Sequence, residues 1–256
     1  IDELASEIGI GERVKFITAE AMNGKLDFEE ALTERVALLK GLSTQIIDKV
    51  LKERITYMPG ASTLLSTMKA NGSYSALVSG GFTMFTDKDS AYLGFDENHA
   101  NVLLTNENKL TGKVKKPILG KKAKVEQLDR IASKFNLSAR QVIAVGDGAN
   151  DLDMLSKAGT GVALHAKPSV AEQCDIRINF GDLTALLFIQ GYSKENFVFS
   201  RDCTTPRESR REKSMREMVD KGRVLYRGGR YRDSVWYSMN LVFPRLIFAT
   251  VPRVFG

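Results

Sequence analysis

The sequence predicts an α/β protein: a doubly wound, parallel, Rossmann-like sheet carrying a small helical cap. Three observations predict it. From Pro59 onward, short apolar runs alternate with amphipathic helical runs, the rhythm of repeated βα units. The residues before Pro59 carry helical periodicity alone. A length of 256 residues, 43% apolar and 27% charged, is enough for a sizeable core and excludes disorder, collagen and a dense disulfide scaffold.

The elements follow in order. Leu4, Ile8 and the cluster from Val14 to Ile17 recur at spacings of three and four, interrupted by Gly9 and Gly11. Ala31, Leu32, Val36 and Leu39 form a second run, and Ile46, Ile47, Val50 and Leu51 a third, separated by Gly41 and the capping candidate Ser43. Residues 1–58 therefore read as a helical cap domain, and residues 59–197 as the α/β core. In the core, a helix over Ala61–Ala70 closes at Asn71-Gly72, and the buried strand Tyr74–Val78 runs into Ser79-Gly80-Gly81. Asp87-Lys88-Asp89 follows a helix-like stretch. Val102–Leu104 and Leu110–Val114 suggest a hairpin around Asn106–Lys109. A helix over Ala123–Phe135 has Val125, Leu128, Ile131 and Phe135 on one face. Strand Val142–Val145 enters Gly146-Asp147-Gly148-Ala149-Asn150-Asp151, followed by a helix to Gly159 and a strand over Gly161–Leu164. Ser169 to Glu172 has capping-box spacing, and Cys174 falls in the same helical stretch. Ile176–Ile178 reads as a strand, and Asp182 as the cap of a last helix that stops at Gly191.

The net charge of +6 suggests a phosphate-rich partner, but it is unevenly placed. Ser200 to Gly256 holds 13 Lys plus Arg against 6 Asp plus Glu, with 11 of the 13 being Arg. Residues 198–256 thus form a basic tail of different character from the rest. It is either a disordered or adventitious segment or a binder of nucleic acid or anionic lipid through Trp236, Tyr237 and Phe243 beside arginines; the abrupt exchange of Lys for Arg favours the first. No uncharged apolar stretch of membrane-spanning length and no signal-peptide pattern is present. Two cysteines, Cys174 and Cys203, point to a reducing, cytoplasmic setting.

Ligands of open α/β sheets collect at the carboxyl ends of the strands. Two such ends carry the right groups. Ser79-Gly80-Gly81 offers a hydroxyl and unhindered amides to an oxyanion, though such a sequence also serves as a plain tight turn. Asp147, Asn150 and Asp151 place three hard oxygen donors within five residues, which suits Mg²⁺; the bland alternative is that Asn150 or Asp151 merely caps a helix. Lys124 opens a helix, where the dipole disfavours a cation; an anion nearby explains it, and so does a solvated stretch with Lys121 and Lys122. His99 and His165 are lone imidazoles and read as structural.

Taken together, Ser79-Gly80-Gly81-Phe82, Lys124 and Gly146 to Asp151 resemble motifs two, three and four of the haloacid-dehalogenase-like phosphatases. With Glu20-Ala21-Met22-Asn23-Gly24 and Leu32-Thr33-Glu34-Arg35-Val36, the chain is similar to the phosphoserine-hydrolysing branch of that family over residues 1 to about 197, roughly three quarters of its length. The resemblance implies Mg²⁺-dependent hydrolysis of O-phosphoserine through an aspartyl-phosphate, with a second aspartate as general acid and base. It implies that Ser79, Gly80 and Gly81 hold phosphoryl oxygens and that Lys124 neutralises charge on the transferring group. Asp147 is then the metal ligand, Asn150 and Asp151 complete the phosphate and metal surroundings, and Arg35 pairs with the substrate carboxylate. Met22 and Phe28 line the cap side of the pocket, or simply pack the core.

The family's Asp-x-Asp motif belongs on a first strand just ahead of Ile1, and neither Asp2, Asp87-Lys88-Asp89 nor Asp151-Leu152-Asp153 substitutes for it. The expectation is therefore a chain that lacks turnover as written and folds poorly alone, since the strands flanking the missing one are left with unpaired edges. A related phosphatase or phosphotransferase acting on another small phosphomonoester, and a catalytically dead phosphate-binding protein, stay open as alternatives.

Overall fold

The computed structural model describes residues 1–22, 26–199, 241–242 and 246–250, with Met22 and the last two segments described through their backbone. Four helices come first: α1 (Asp2–Glu7), α2 (Gly11–Met22), α3 (Phe28–Ala37) and α4 (Gln45–Glu53). Asp27 starts α3 by a capping box, its carboxylate accepting from the Glu29 amide at 2.9 Å while Glu30 reaches back to the Asp27 amide. Glu7 of α1 is held by Lys49 at 2.6 Å and by Arg54, which joins the first helix to the end of α4. Leu4, Val14, Leu32, Val36, Leu39, Ile47 and Val50 close the apolar interior of this cap.

The core then alternates. It comprises β1 (Thr56–Tyr57), α5 (Ala61–Ala70), β2 (Ser73–Phe82), α6 (Thr83–Leu93), β3 (Glu97–Asn101), β4 (Leu103–Asn106), β5 (Lys109–Val114), α7 (Lys121–Lys134) and β6 (Val142–Gly146). It continues with α8 (Leu152–Lys157), β7 (Thr160–Leu164), α9 (Pro168–Ala171), β8 (Ile176–Ile178), α10 (Ala185–Ile189), β9 (Leu241–Val242) and β10 (Leu246–Thr250). The main sheet has the order β3-β2-β10-β6-β7-β8. Its strands β2, β6 and β7 are largely buried on both faces, alternate residues pointing to opposite sides. Leu77, Ile143, Val145, Val162 and Leu164 meet α5 and α10 on one side, and Ala76, Val78, Val142, Ala144 and Ala163 meet α7, α8 and α9 on the other. This is the doubly wound α/β fold with a helical cap. The hairpin β4–β5 gives Leu103 and Leu110 to the cap interior, and Phe82 joins them from the end of β2.

Five expectations need correction. The edges of β2 and β6 are not left open: β10 lies between them, antiparallel to both, pairing Leu246–Thr250 with Leu77–Ser73 and Leu246–Ala249 with Val145–Val142. That strand comes from the basic tail, whose β9 also pairs with β1; the rest of the tail after Phe199, with Cys203, Trp236, Tyr237 and Phe243, lies outside the described residues. Asp87 and Asp89 lie within α6 and do not follow a helix. Ser169 lies inside α9, which starts with Pro168 at its first position and Lys167 as N-cap. Cys174 sits in the turn after α9, buried against the α7–α8 face. Thr184, not Asp182, is the N-cap of α10, although the Asp182 carboxylate accepts the Thr184 amide at 2.8 Å.

Two outcomes follow for stability. A chain ending at Asn240 loses β10, so its central backbone groups are unpaired; dye binding to exposed apolar surface should rise and the urea transition should broaden, and an unchanged transition would show the sheet to be independent of β10. Asp89 is 3% exposed and takes a 3.1 Å hydrogen bond from the Tyr57 hydroxyl, yet burial pushes its pKa from 3.8 up to about 6. The folded state therefore holds its proton more tightly than the unfolded one, and stability falls as pH rises between about 4 and 6, by at most about 3 kcal/mol. Asp89→Asn should flatten that slope and stabilise the protein more at pH 8 than at pH 4, read from urea midpoints.

Candidate active site

At the carboxyl end of β2, the register against β3 shifts between Val78 and Phe82, and this irregularity holds Ser79-Gly80-Gly81. The Ser79 hydroxyl oxygen accepts the Gly81 amide at 3.0 Å, which leaves the hydroxyl proton to donate outward and commits the Gly81 amide inside the loop. At the carboxyl end of β6, Gly146 leads into the Asp147–Asp151 turn. A Cβ on Gly146 would lie 2.5 Å from the Asp151 Cβ, so only glycine permits the approach.

Asp151 is wholly buried and holds this turn together. Its Oδ2 accepts the amides of Gly148 at 3.0 Å and Asp147 at 3.3 Å, and its Oδ1 accepts from Lys124 Nζ. Lys124, on the first turn of α7, is 1% exposed. The solvated-lysine alternative is thereby set aside for this residue, while Lys121 and Lys122 are exposed, and Lys121 pairs with Asp153 at 3.1 Å. Asp151 is thus engaged in orienting Lys124 and the turn. Asp147 and Asn150 remain the oxygen donors beside it, with Asn150 Oδ1 folded back to 2.6 Å from where a Gly148 Cβ would stand. A cradle of two glycines and hard oxygens suits a divalent cation that takes one or two carboxylates and completes its shell with water and phosphate oxygens. Among the described residues, no group of three or more His, Cys, Asp or Glu side chains converges as an all-protein cage.

Asn101, which the sequence reading passed over, joins the two ends. It is 3% exposed; its Nδ2 donates to the Gly80 carbonyl at 3.0 Å and the Leu119 carbonyl at 3.3 Å, and its Oδ1 accepts the Leu119 amide at 2.6 Å. The glycine loop is thereby tied to the segment that launches α7. No local signal marks it, since a lone Asn on a polar strand looks like a solvent-facing residue.

From the cap, Phe28 reaches Gly120, its ring 3.4 Å from where a Cβ would sit. Arg35 is seven residues along the same helix and so on the same face. It is half-buried, and its Nε donates to the Ala31 carbonyl at 3.0 Å and its Nη1 to Thr18 Oγ1 at 3.2 Å. Burial lowers its pKa. Among the described residues Arg35 makes no ion pair. The side chain of Met22 lies outside the described residues. The imidazoles serve structure: His99 stands 3.0 Å from Arg130 on the sheet edge, and His165 Nε2 stands 3.0 Å from the Gly181 carbonyl. No helix among the described residues is long and apolar enough to cross a membrane.

This arrangement has known counterparts. The haloacid dehalogenase-like hydrolase family profile matches residues 9–156. A phosphoserine phosphatase of Methanocaldococcus jannaschii is 44% identical over 187 residues, covering 73% of this chain and 88% of that protein. One of Haemophilus influenzae is 43% identical over 187 residues, again 73% of this chain, but the match spans only 59% of its length. A solved structure of a substrate-bound phosphoserine phosphatase superposes with a TM-score of 0.68 at 42% identity, over 73% of this chain and 89% of that one.

The ion pair sets a measurable expectation. Lys124→Met leaves Asp151 charged and buried without its cation and should cost about 3–5 kcal/mol in urea unfolding, whereas the double change with Asp151→Asn should recover part of the loss. A loss in the double variant equal to the sum of the losses of Lys124→Met and Asp151→Asn measured singly would show that the two groups are not coupled.

Proposed function

The chain belongs to the haloacid dehalogenase-like hydrolases, and from that premise we propose that its site takes O-phosphoserine in the manner of a Mg²⁺-dependent phosphomonoesterase. The observation that carries the reading is the buried Lys124, fixed by Asp151 and held through α7 and Asn101 beside the Ser79 loop. A lysine kept dry and immobile at strand ends serves an anion better than it serves stability.

In this reading the Ser79 hydroxyl and the Gly80 amide donate to phosphoryl oxygens, with Gly81 shaping the loop, and Lys124 adds a charge-assisted donor. Asp147 holds Mg²⁺, with Asn150 completing the phosphate and metal surroundings; the ion, when bound, supplies positive charge to the phosphoryl oxygens. Arg35 offers its unused N–H groups to the substrate carboxylate, and Phe28 and Met22 close the cap side. Asp151 positions Lys124. A cytoplasmic setting belongs to the same proposal and is supported by the free thiol of Cys174.

The covalent step of the family needs an aspartate nucleophile, and the only Asp-x-Asp sequences here, Asp87-Lys88-Asp89 and Asp151-Leu152-Asp153, are built into α6 and into the Lys124 support. We therefore expect binding without turnover from the chain as written. A colorimetric phosphate assay with Mg²⁺ and O-phosphoserine should give no release above the protein-free rate; clear turnover would overturn the inactivity. Calorimetry should show Arg35→Ala weakening O-phosphoserine at least tenfold, as for a lost charge-assisted pair, and phosphoethanolamine hardly at all. Equal weakening of both would favour another phosphomonoester as the natural ligand.

A further inference from the structure

Arg35 is a long side chain with a fork that must point one way to grip a carboxylate. Its Nε is held by the Ala31 carbonyl of its own helix, one turn back. That single anchor leaves the guanidinium free to swing about the bond. The second anchor comes from α2: Thr18 Oγ1 accepts from Nη1 at 3.2 Å. The same hydroxyl donates its only proton to the Val14 carbonyl at 2.9 Å, so towards the arginine it presents lone pairs alone. Thr18 is also β-branched, which restricts its χ1 in a helix and fixes where those lone pairs lie.

We propose that Thr18 is the positioning residue that aims the Arg35 fork at the carboxylate of the ligand. The proposal rests on the reading of Arg35 given above. Its chemistry explains why a hydroxyl stands there. A carboxylate at this position would orient the guanidinium equally well but would also neutralise it and compete with the ligand. The neighbouring contact between the same two helices shows the alternative: Arg13 of α2 pairs with Glu34 of α3 at 3.2 Å, on the exposed side, and that arginine is spent on structure. Thr18 immobilises Arg35 through a neutral acceptor and leaves its positive charge available. With Nε and one Nη1 proton committed, the remaining Nη protons form the free edge of the fork.

The test uses the whole 256-residue chain with Mg²⁺, titrated calorimetrically with O-phosphoserine and with phosphoethanolamine, which keeps the phosphate and amine but lacks the carboxylate. Thr18→Val should weaken O-phosphoserine by roughly five- to tenfold, as expected for one hydrogen bond, with phosphoethanolamine changed less than about twofold. Thr18→Ser, which keeps the hydroxyl, should restore most of the loss. If the valine variant misfolds by circular dichroism, Thr18→Ala is measured in its place and must show the same selectivity. Loss of affinity for both ligands alike, or no loss for either, would overturn the positioning role while leaving Arg35 in place. Absence of any preference for O-phosphoserine in the unaltered chain, or a preference that survives Arg35→Ala, would remove the Arg35 reading and Thr18 with it.

Discussion

The ion pair between Lys124 and Asp151 is the contact on which the rest of the site depends. Both side chains are essentially dry, so each makes the other tolerable, and neither can be lost without leaving a charge in a medium that punishes it. Asp151 also takes two amides of the turn after β6, so a single carboxylate sets the position of α7 relative to β6 and the shape of the Asp147 turn. The requirement spreads along the chain. Because Asp151 presses on the end of β6, position 146 must be glycine, and because Lys124 must reach it, the first turn of α7 must lie across the strand ends.

Asn101 does with a neutral group what Asp151 does with a charged one. An amide can donate and accept at once, and here it does both, joining Gly80 to Leu119 where the β2–β3 ladder resumes after its irregularity at Phe82 and Asn101. The start of α7 is therefore held at two points, by Asn101 at Leu119, two residues before the helix begins, and by Asp151 through Lys124 in its first turn. The Ser79 loop, the start of α7 and the Asp147 turn are thus linked by side-chain hydrogen bonds, the kind of bracing that an anion site of fixed donors needs.

Local physics made most of this fold legible. The apolar runs of β6 and β7 and the helical stripes of α5 and α7 marked boundaries within a residue or two, since each element had to bury a face, whereas β2 continues to Phe82, four residues past the expected end at Val78. What escaped was governed from a distance. β3 is a polar edge strand, and Glu97 to Asn101 contain no alternation to see. Within α6, Thr86 and Asp89 look solvent-facing but are buried because Asn98 and Tyr57 satisfy them. Lys124 could not be told from Lys121 and Lys122 by composition, since the difference lies in a partner 27 residues away. The glycine loops and the Asp147 turn were readable because their chemistry is written in consecutive residues; the clamps that hold them were not.

The central strand separates two demands that a sheet of this kind normally meets together. Backbone pairing is indifferent to direction: β10 satisfies β2 and β6 as an antiparallel strand as completely as a parallel one could. A ligand site is not indifferent. A parallel strand in that slot would end at the edge where Ser79, Lys124 and Asp147 gather, and the residues following it would be delivered to the phosphate. With β10 reversed, its first residue, Leu246, lies at that edge, opposite Leu77 and Val145, and its last, Thr250, lies at the far one opposite Ser73. The hydrogen-bonding requirement of β2 and β6 is thus met by an antiparallel strand, while the direction of that strand decides which of its ends lies beside the site. The residues proposed to bind, Ser79, Lys124 and Asp147, lie near the end of β2, on the first turn of α7 and in the turn after β6.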